Sequence, residues 1–209
     1  MMRVVITGFG PFPGAAFNPS AALATALTRR RRPAFADLDR VRHIFATTYA
    51  SVDRDLPKLL ARKPDLVLMF GLAGRRRYVC IETRARNAVS VLFPDASGHR
   101  RQQGVIARGG PAARRGHAPF AALAGATRTA KFPARLSRDA GHYLCNYLYW
   151  RALERAGAAN GKPLVQFVHI PPIGSKPRRK SAAKPPRTLA QLLATAEALL
   201  IALTAASRH

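Results

Sequence analysis

Cysteine and acidic residues are both scarce in this chain of 209 residues, and the scarcity of cysteine excludes a disulfide-rich protein. The 2 cysteines are too few for a disulfide framework, which favours a reducing compartment such as the cytoplasm. Together with the 6 histidines they show no spacing typical of metal ligands, so we expect no metal site. The segment "GFGPFPG" lacks the Lys-Ser/Thr of a phosphate-binding loop and does not fit GxGxxG. We therefore expect no cofactor.

Long apolar runs are missing as well. The apolar start of "MMRVVITGFGPF" soon reaches Gly and Pro, which makes it too short for a signal peptide. No other stretch is predicted to be long enough to span a membrane, so we expect a cytoplasmic protein without membrane contacts. Hydrophobic residues nevertheless make up 48% of the chain, which excludes a disordered protein and is enough for one domain with a sizeable core.

Basic residues outnumber acidic ones by 35 to 10, which gives a formal net charge of +25, and 28 of the basic residues are Arg. They cluster at 29–32, 75–77, 98–117 and 176–187. Such a field attracts polyanions, including nucleic acid, by counterion release. The same residues would also suit solvated loops. We interpret the first cluster as a solvated helix end, where cations complement the helix dipole, and leave the other clusters open.

Apolar, β-branched runs alternate with helical patterns along the chain, which predicts an α/β fold with a mostly parallel, twisted sheet. We expect a single domain over 1–209, with irregular basic loops at about 88–118 and 174–187. The predicted strands cover 3–9, 41–49, 65–72, 78–85, 132–137 and 164–170. The predicted helices cover 18–32, 51–63, 120–130, 142–157 and 187–206, with Asn18 and Ser51 as N-caps and Gly157 ending the fourth.

Three residues of catalytic chemistry fall near the ends of these elements. Cys145 lies in the first turn of a predicted helix, where the dipole stabilises a thiolate. His169 closes the strand "LVQFVHI", and Glu82 closes "YVCIE" in an apolar strand where an unpaired carboxylate is unfavourable. Because ligands gather at the carboxyl ends of strands in open α/β sheets, we expect the three side chains to meet there. A nucleophile, a base and an orienting carboxylate from separate elements form the triad used in cysteine catalysis.

Each of these residues also has a structural interpretation. A lone helix cysteine often fills the core, and a histidine at a strand end often serves only packing. Glu82 could pair with the nearby Arg84 or Arg86. The other two glutamates, Glu154 and Glu197, lie on predicted helices, where glutamate is ordinary.

Several segments, in order and closely spaced over nearly the whole chain, resemble the pyroglutamyl peptidase I family of cysteine peptidases, which remove N-terminal pyroglutamate. "VVITGFGPFPGAAFNPS" resembles the opening of the family, "DLVLMFGLAGRRRYVCIETRARN" its glutamate-bearing strand, and "FPARLSRDAGHYLCN" the approach to its nucleophile. "GGPAA" also resembles part of the segment that leads to the nucleophile. "FVHIP" resembles the histidine segment of the family. The resemblance implies an αβα sandwich of the phosphorylase/hydrolase-like type.

The resemblance also implies roles for individual residues. Cys145 would be the nucleophile, His169 its base and Glu82 the orienting acid, acting through a thioester acyl-enzyme. The substrates would be pyroglutamyl peptides, and the family suggests a homo-oligomer, a dimer or tetramer. An apolar, aromatic slot suits the flat, uncharged pyroglutamyl ring. The residues expected to form it are Phe9, Phe12, Phe93, Tyr143 and Leu144, although Phe9 and Phe12 would equally serve as core packing under the first loop.

The chain departs from the family pattern at a few places. Leu92 stands where the family usually has an Arg near the active site, and Arg84 and Arg86 replace apolar residues. These changes and the basic loops keep an alternative open, a catalytically weakened or inactive homologue that binds acidic peptides or nucleic acid. For an active peptidase, we expect the basic segments to lie on exposed loops and to favour acidic residues after the cleaved bond.

Overall fold

The computed structural model describes residues 1–12, 16–130, 134–159, 162–173 and 188–208. It consists of a central sheet covered by helices on both faces. The strands are β1 Met2–Phe9, β2 Leu38–Phe45, β3 Leu66–Leu72, β4 Val79–Glu82, β5 Arg84–Arg86, β6 Ala113–Arg115, β7 Ala134–Ser137 and β8 Leu164–Ile170. The helices are α1 Pro19–Arg29, α2 Tyr49–Ala61, α3 Phe120–Thr129, α4 Leu144–Ala158 and α5 Leu189–Ser207, with a short 3₁₀ turn at Pro33–Phe35.

The central sheet has six strands in the order β2-β1-β3-β8-β4-β7. All neighbours are parallel except β4 and β8, which pair antiparallel with Cys80 opposite His169. Strands β5 and β6 form a separate two-stranded antiparallel ribbon. The predicted α/β class with a mostly parallel sheet is therefore confirmed.

Two apolar clusters lie on opposite faces of the sheet. Helices α2 and α4 cover one face, where Trp150 and Tyr149 are fully buried, and α1, α3 and α5 cover the other, where Leu23 and Leu199 are fully buried. Strand residues alternate between the two clusters, as the two-residue period of a strand requires: Val5 and Val67 belong to one and Val4 and Leu66 to the other. The arrangement is the expected αβα sandwich.

Several element boundaries differ from those predicted. The predicted strand 78–85 is two strands, because β4 ends at Glu82 and β5 leaves the central sheet. The predicted strand 41–49 begins at Leu38 and ends at Phe45, since Thr48 is already the N-cap of α2. Ser51 is therefore wrong as a cap: its backbone N–H donates to the Thr48 side chain at 3.2 Å.

Helix ends also differ. The predicted cap of α1 is confirmed, since the Asn18 side chain accepts from the Ser20 N–H at 3.1 Å. Helix α4 begins at Leu144 and continues to Ala158, so Gly157 lies inside the helix and does not end it. A Cβ built on Gly157 would have no atom within 4 Å, so the glycine is not required there by a close contact.

The basic excursion over 88–118 is fastened by two polar side chains. The Asn87 side chain donates to the Ala107 carbonyl at 2.8 Å and accepts from the Ile106 N–H at 2.9 Å. Buried Asp95 accepts from the backbone N–H groups of Tyr49 and His99 at 3.0 and 3.1 Å. Within the excursion, β6 is the regular element that the structure assigns. The second basic segment, 176–187, lies outside the described residues.

Two expectations about helices need correction. By length and composition alone, α5 could cross a membrane, contrary to the prediction that no stretch is long enough. Its buried residues, among them Leu199 and Leu203, pack in the core under the sheet, which accounts for its apolar composition. Glu197 on the same helix is not an ordinary surface glutamate, because it is 4% exposed and ion-paired with Arg30 at 2.7 Å.

We expect Gly8→Ala to destabilise the fold by about 1–3 kcal/mol, because an added methyl group would overpack a filled interface. A Cβ at Gly8 would lie 2.5 Å from the Ser20 carbonyl oxygen, a backbone atom at the start of α1. Urea unfolding of the wild type and the variant would measure the change. The control is Gly157→Ala, which has open space around its Cβ and should slightly stabilise the helix. Equal unfolding midpoints for wild type and Gly8→Ala would contradict this packing.

Candidate active site

A buried carboxylate–imidazole pair lies where β4 meets β8. His169 Nδ1 is 2.8 Å from Glu82 Oε1, and the two residues are 6% and 0% exposed. The pairing arises from the antiparallel register: Cys80 is opposite His169, so Glu82 is diagonal to His169 on the same face. The two residues do meet, as expected, but the expected reason is wrong. They do not lie at the carboxyl ends of neighbouring parallel strands, because β4 is antiparallel to β8.

Glu82 is held by both its backbone and its side chain. Its carbonyl oxygen accepts hydrogen bonds from the Tyr149 hydroxyl and the Gln166 amide, each at 3.0 Å. Its Oε1 also accepts from Arg76 Nη1 at 3.0 Å, while its Oε2 has no hydrogen-bond partner among the described residues. The carboxylate is thereby fixed with one oxygen shared between a cation and the imidazole.

The suggested pairing of Glu82 with Arg84 or Arg86 is wrong. Arg84 Nε donates to the Arg138 carbonyl at 2.9 Å, and the Arg86 guanidinium lies 3.9 Å from Asp139. Both arginines belong to β5, which has left the central sheet at the point where Glu82 ends β4.

Arg76 is the residue of this site that sequence reasoning missed. Besides Glu82, its guanidinium donates to the Ser137 hydroxyl at 3.3 Å and to the Asp139 carbonyl at 2.9 Å. It therefore ties the carboxylate to the turn that leads into α4. In the sequence it stands between two other arginines, and nothing in "RRR" distinguishes it from its neighbours.

Cys145 is the second residue of α4 and is partly exposed, whereas Cys80 is 0% exposed. A Cβ built on Gly71 would lie 2.7 Å from the Cys145 sulfur, and Gly71 is the register partner of His169 on the neighbouring strand. The sulfur thus lies over the junction of β3 and β8, beside the imidazole. A glycine at 71 is required for this close approach.

The start of α4 is anchored by the residue after the cysteine. The side chain of buried Asn146 accepts from the Arg86 N–H at 2.9 Å and donates to the carbonyls of Arg86 and Ala88 at 2.9 and 2.8 Å. Tyr143, the N-cap residue, makes no side-chain capping bond. The first N–H groups of α4, in the turn that carries Cys145, are therefore left without a side-chain cap.

The environment of His169 favours its charged form. Burial alone would lower its pKa, but the hydrogen bond and negative charge of Cys145, together with those of Glu82, outweigh burial and raise the pKa to about 9. The surroundings of the ring therefore stabilise the imidazolium form. The opposite holds for Cys80, since burial raises its thiol pKa and Arg76 only partly offsets this effect. A thiol with a raised pKa is a poor nucleophile.

An open cavity of about 490 Å³ adjoins the start of α4. Two of its lining residues, Leu92 and Phe93, are 72% and 64% exposed. The complete lining is Ala88, Val89, Ser90, Val91, Leu92, Phe93, Gly104, His142 and Tyr143. Gly104 belongs to the basic segment 98–117, which therefore reaches the opening of this cavity.

The predicted substrate-binding residues are divided between this cavity and the core. Phe93 and Tyr143 line the cavity, and the Tyr143 hydroxyl donates to the Pro94 carbonyl at 2.8 Å. Phe9 is 2% exposed and packs against Phe45 with ring centroids 5.9 Å apart, and Leu144 is 1% exposed. Phe12 is partly buried. Within the described ranges, no group of three or more His, Cys, Asp or Glu side chains is arranged to hold a metal ion.

Comparison with known proteins identifies relatives of this chain. The family model described as pyroglutamyl peptidase matches residues 2–209. A pyrrolidone-carboxylate peptidase of Thermococcus onnurineus is 34% identical over 171 residues, covering 81% of this chain and 84% of the relative. The Clavibacter michiganensis protein of the same name is 35% identical over 176 residues, covering 82% of this chain and 79% of the relative.

Solved structures agree with the sequence comparison. Pyroglutamyl peptidase I of Bacillus amyloliquefaciens is 28% identical with a TM-score of 0.82, covering 100% of this chain and 98% of the other. Pyrrolidone carboxyl peptidase of Thermococcus litoralis is 25% identical with a TM-score of 0.86, covering 100% and 96%. Because the family model spans almost the whole chain and the folds coincide, this protein belongs to the pyroglutamyl peptidase family.

Proposed function

We propose that this protein is a cysteine peptidase that removes N-terminal pyroglutamate from peptides through a triad of Cys145, His169 and Glu82. The single observation that carries the proposal is the buried Glu82–His169 pair, 2.8 Å apart, with the Cys145 sulfur beside the imidazole. The names of its relatives support the substrate, since they are pyrrolidone-carboxylate or pyroglutamyl peptidases.

The first step of the proposed reaction is attack by sulfur. His169, whose pKa is raised to about 9, takes the proton of Cys145 and so generates the attacking thiolate. The thiolate attacks the carbonyl carbon of the bond after pyroglutamate, a C–S bond forms, and negative charge moves to the carbonyl oxygen. In this proposal, the uncapped N–H groups at the start of α4 stabilise the oxyanion.

The second step releases the peptide. The C–N bond breaks as His169 gives its proton to the departing amine, leaving a pyroglutamyl thioester on Cys145. Neutral His169 then takes a proton from water, which attacks the thioester, and free pyroglutamate leaves as the thiol is restored. Glu82 holds the Nδ1 side of the ring throughout, so that the other ring nitrogen faces the sulfur.

The apolar part of the cavity suits an uncharged lactam. Phe93 and Tyr143 offer aromatic surface beside the helix start, and Leu92 and Val91 add aliphatic surface. A free α-amino group would carry a charge into this apolar region, which is unfavourable. The cyclised N-terminus of pyroglutamate carries no such charge, so the lining favours blocked over free N-termini.

Cys145→Ser tests the nucleophile. We expect loss of hydrolysis of a chromogenic pyroglutamyl amide with an unchanged circular dichroism spectrum, because a serine hydroxyl holds its proton too tightly to act with this base at neutral pH. The matched control is Cys80→Ser at the buried cysteine, which should keep activity. Inactivation by Cys80→Ser, with Cys145→Ser still active, would refute the assignment. If folded wild-type protein hydrolysed no pyroglutamyl amide, the binding-protein alternative would replace the proposed function.

Glu82→Gln and His169→Ala separate orientation from proton transfer. We expect His169→Ala to lower kcat/KM by about 10²–10⁴-fold, because it removes the general base and acid. Glu82→Gln should cost less, since Gln keeps a hydrogen-bond acceptor near Nδ1. Steady-state kinetics on one pyroglutamyl amide would measure both. Small and equal effects from the two variants would contradict the proposed roles.

Arg76 is expected to position Glu82 and to limit the basicity of His169. In Arg76→Gln the cation 3.0 Å from Glu82 is lost, so the full carboxylate charge acts on the imidazolium. The pKa of His169 should rise above its value of about 9, and the alkaline limb of the kcat/KM profile should move to higher pH. Cys145 is unchanged in the variant, whereas Cys80 loses the hydrogen bond and charge of Arg76, which raises its thiol pKa further and keeps it neutral.

The pH profile distinguishes this effect from a structural one. If Arg76 only supported the turn at Ser137, Arg76→Gln would lower activity at every pH and leave the limb in place. Ser137→Ala is the matched control, because it removes a neutral partner of Arg76 at 3.3 Å without changing charge. If the alkaline limb of the kcat/KM profile stayed at the same pH in Arg76→Gln, the electrostatic role of Arg76 would be refuted.

A further inference from the structure

The outer face of the β5–β6 ribbon concentrates positive charge. Arg84 lies directly opposite Arg115 in the antiparallel register, and Ala85 between Arg84 and Arg86 is buried. Because side chains alternate along a strand, these three arginines share the face turned away from the core. Arg114, on the inner face, stacks on Trp150 at 4.9 Å and pairs with a glutamate. Like charges directly opposite each other weaken a strand pair, and an anion bound at the outer face would relieve this repulsion.

Little acidic charge balances this face in the described part of the chain. Arg84 Nε reaches the backbone carbonyl of Arg138, which brings another exposed arginine alongside it. Asp139 is the carboxylate near Arg86, at 3.9 Å, and it is about half-exposed. We call Arg84, Arg86, Arg115 and Arg138 the basic face.

The basic face adjoins the cavity at the start of α4. Arg86 Nη1 lies 3.4 Å from His142 Nε2, and His142 lines the cavity together with Tyr143. The backbone of Arg86 is bound at both its N–H and its carbonyl by Asn146, the residue that follows the nucleophile. A peptide held at Cys145 can therefore extend across His142 onto the basic face.

We propose that the basic face is a subsite for an acidic side chain of the leaving peptide, which makes the substrate class pyroglutamyl peptides with Glu or Asp after pyroglutamate. The proposal rests on the proposed function. No residue precedes pyroglutamate in a substrate, so charges outside the pocket for its ring can act only on the residues that follow it. The ring itself is uncharged and gains nothing from arginine.

The test compares the peptides pyroglutamyl-Glu-Ala and pyroglutamyl-Gln-Ala, which differ in one charge and share their shape. We expect a higher kcat/KM for the Glu peptide at low ionic strength, by about two- to fivefold for each arginine that contacts it. The ratio should approach one in high salt, because exposed charges are then screened. The release of Glu-Ala or Gln-Ala would be followed by mass spectrometry.

Charge-neutralising variants locate the effect. We expect two variants to reduce the ratio of kcat/KM for the Glu peptide to kcat/KM for the Gln peptide. They are the single variant Arg86→Gln and the double variant Arg84→Gln with Arg115→Gln. The control is Arg31→Gln, which removes the same charge from an exposed position just after α1, on the opposite side of the sheet. This control should leave the ratio unchanged.

The outcomes are distinguishable. Equal kcat/KM values for the two peptides in an active enzyme, or an equal loss of the ratio in Arg31→Gln, would overturn the subsite and leave the proposed function intact. If an oligonucleotide inhibited the enzyme while the two peptides were cleaved equally, the basic face would be a nucleic-acid surface instead. Absence of turnover for both peptides and for the uncharged amide would overturn the proposed function and the subsite together.

Discussion

The ion pair between Glu82 and His169 is the interaction on which the rest of the site depends. A carboxylate that is 0% exposed is costly by several kcal/mol unless charge and hydrogen bonds compensate it. Two side chains compensate it at Oε1, His169 on β8 and Arg76 before β4, while Tyr149 on α4 binds the backbone carbonyl of the same residue. Each of these contacts also fixes a piece of the site. The electrostatic requirement of one buried carboxylate therefore links His169 and, through Arg76, the turn before α4, while the Glu82 backbone adds a contact to α4 itself.

The cysteine is positioned by constraints of shape. Gly71 leaves room for the sulfur above the junction of β3 and β8, and Asn146 fastens the first turn of α4 to β5. The sulfur consequently lies beside His169, whose own position is fixed by Glu82. This arrangement supports the proposal that Cys145 is the nucleophile and His169 its base. Cys80, although it lies opposite His169 in the sheet, is buried and its raised pKa keeps it a thiol.

Local patterns in the sequence were sufficient for most of the fold. Apolar, β-branched runs located β1, β3 and β8, and capping chemistry located the start of α1 at Asn18. The direction of β4 could not be predicted, because a four-residue strand carries no local sign of which neighbour it pairs with. The same limit applies to Thr48 and Ser51, where either residue has the chemistry of an N-cap and tertiary context selects one.

The site was predictable to a different extent. Cys145, His169 and Glu82 stood out because of their chemistry and their places at element ends, and the structure brings them together. Arg76 did not stand out, since its role arises from contacts with Ser137 and Asp139, about sixty residues away in the chain. Glu197 was missed for the same reason, because its partners Arg30 and Arg32 are remote in sequence. Long-range pairing of charges carries no local signal, especially in a chain with 35 basic residues.

The central claim is that Cys145 is the reactive thiolate of an enzyme that acts on pyroglutamyl amides. It is tested most directly by alkylating the native protein with iodoacetamide at neutral pH, with and without a pyroglutamyl substrate analogue, and mapping the modified cysteine by mass spectrometry. The account predicts that Cys145 alone reacts, that activity falls in proportion to its modification, and that the analogue slows both. Full activity in protein alkylated at Cys145, or loss of activity that follows modification of Cys80, would contradict it.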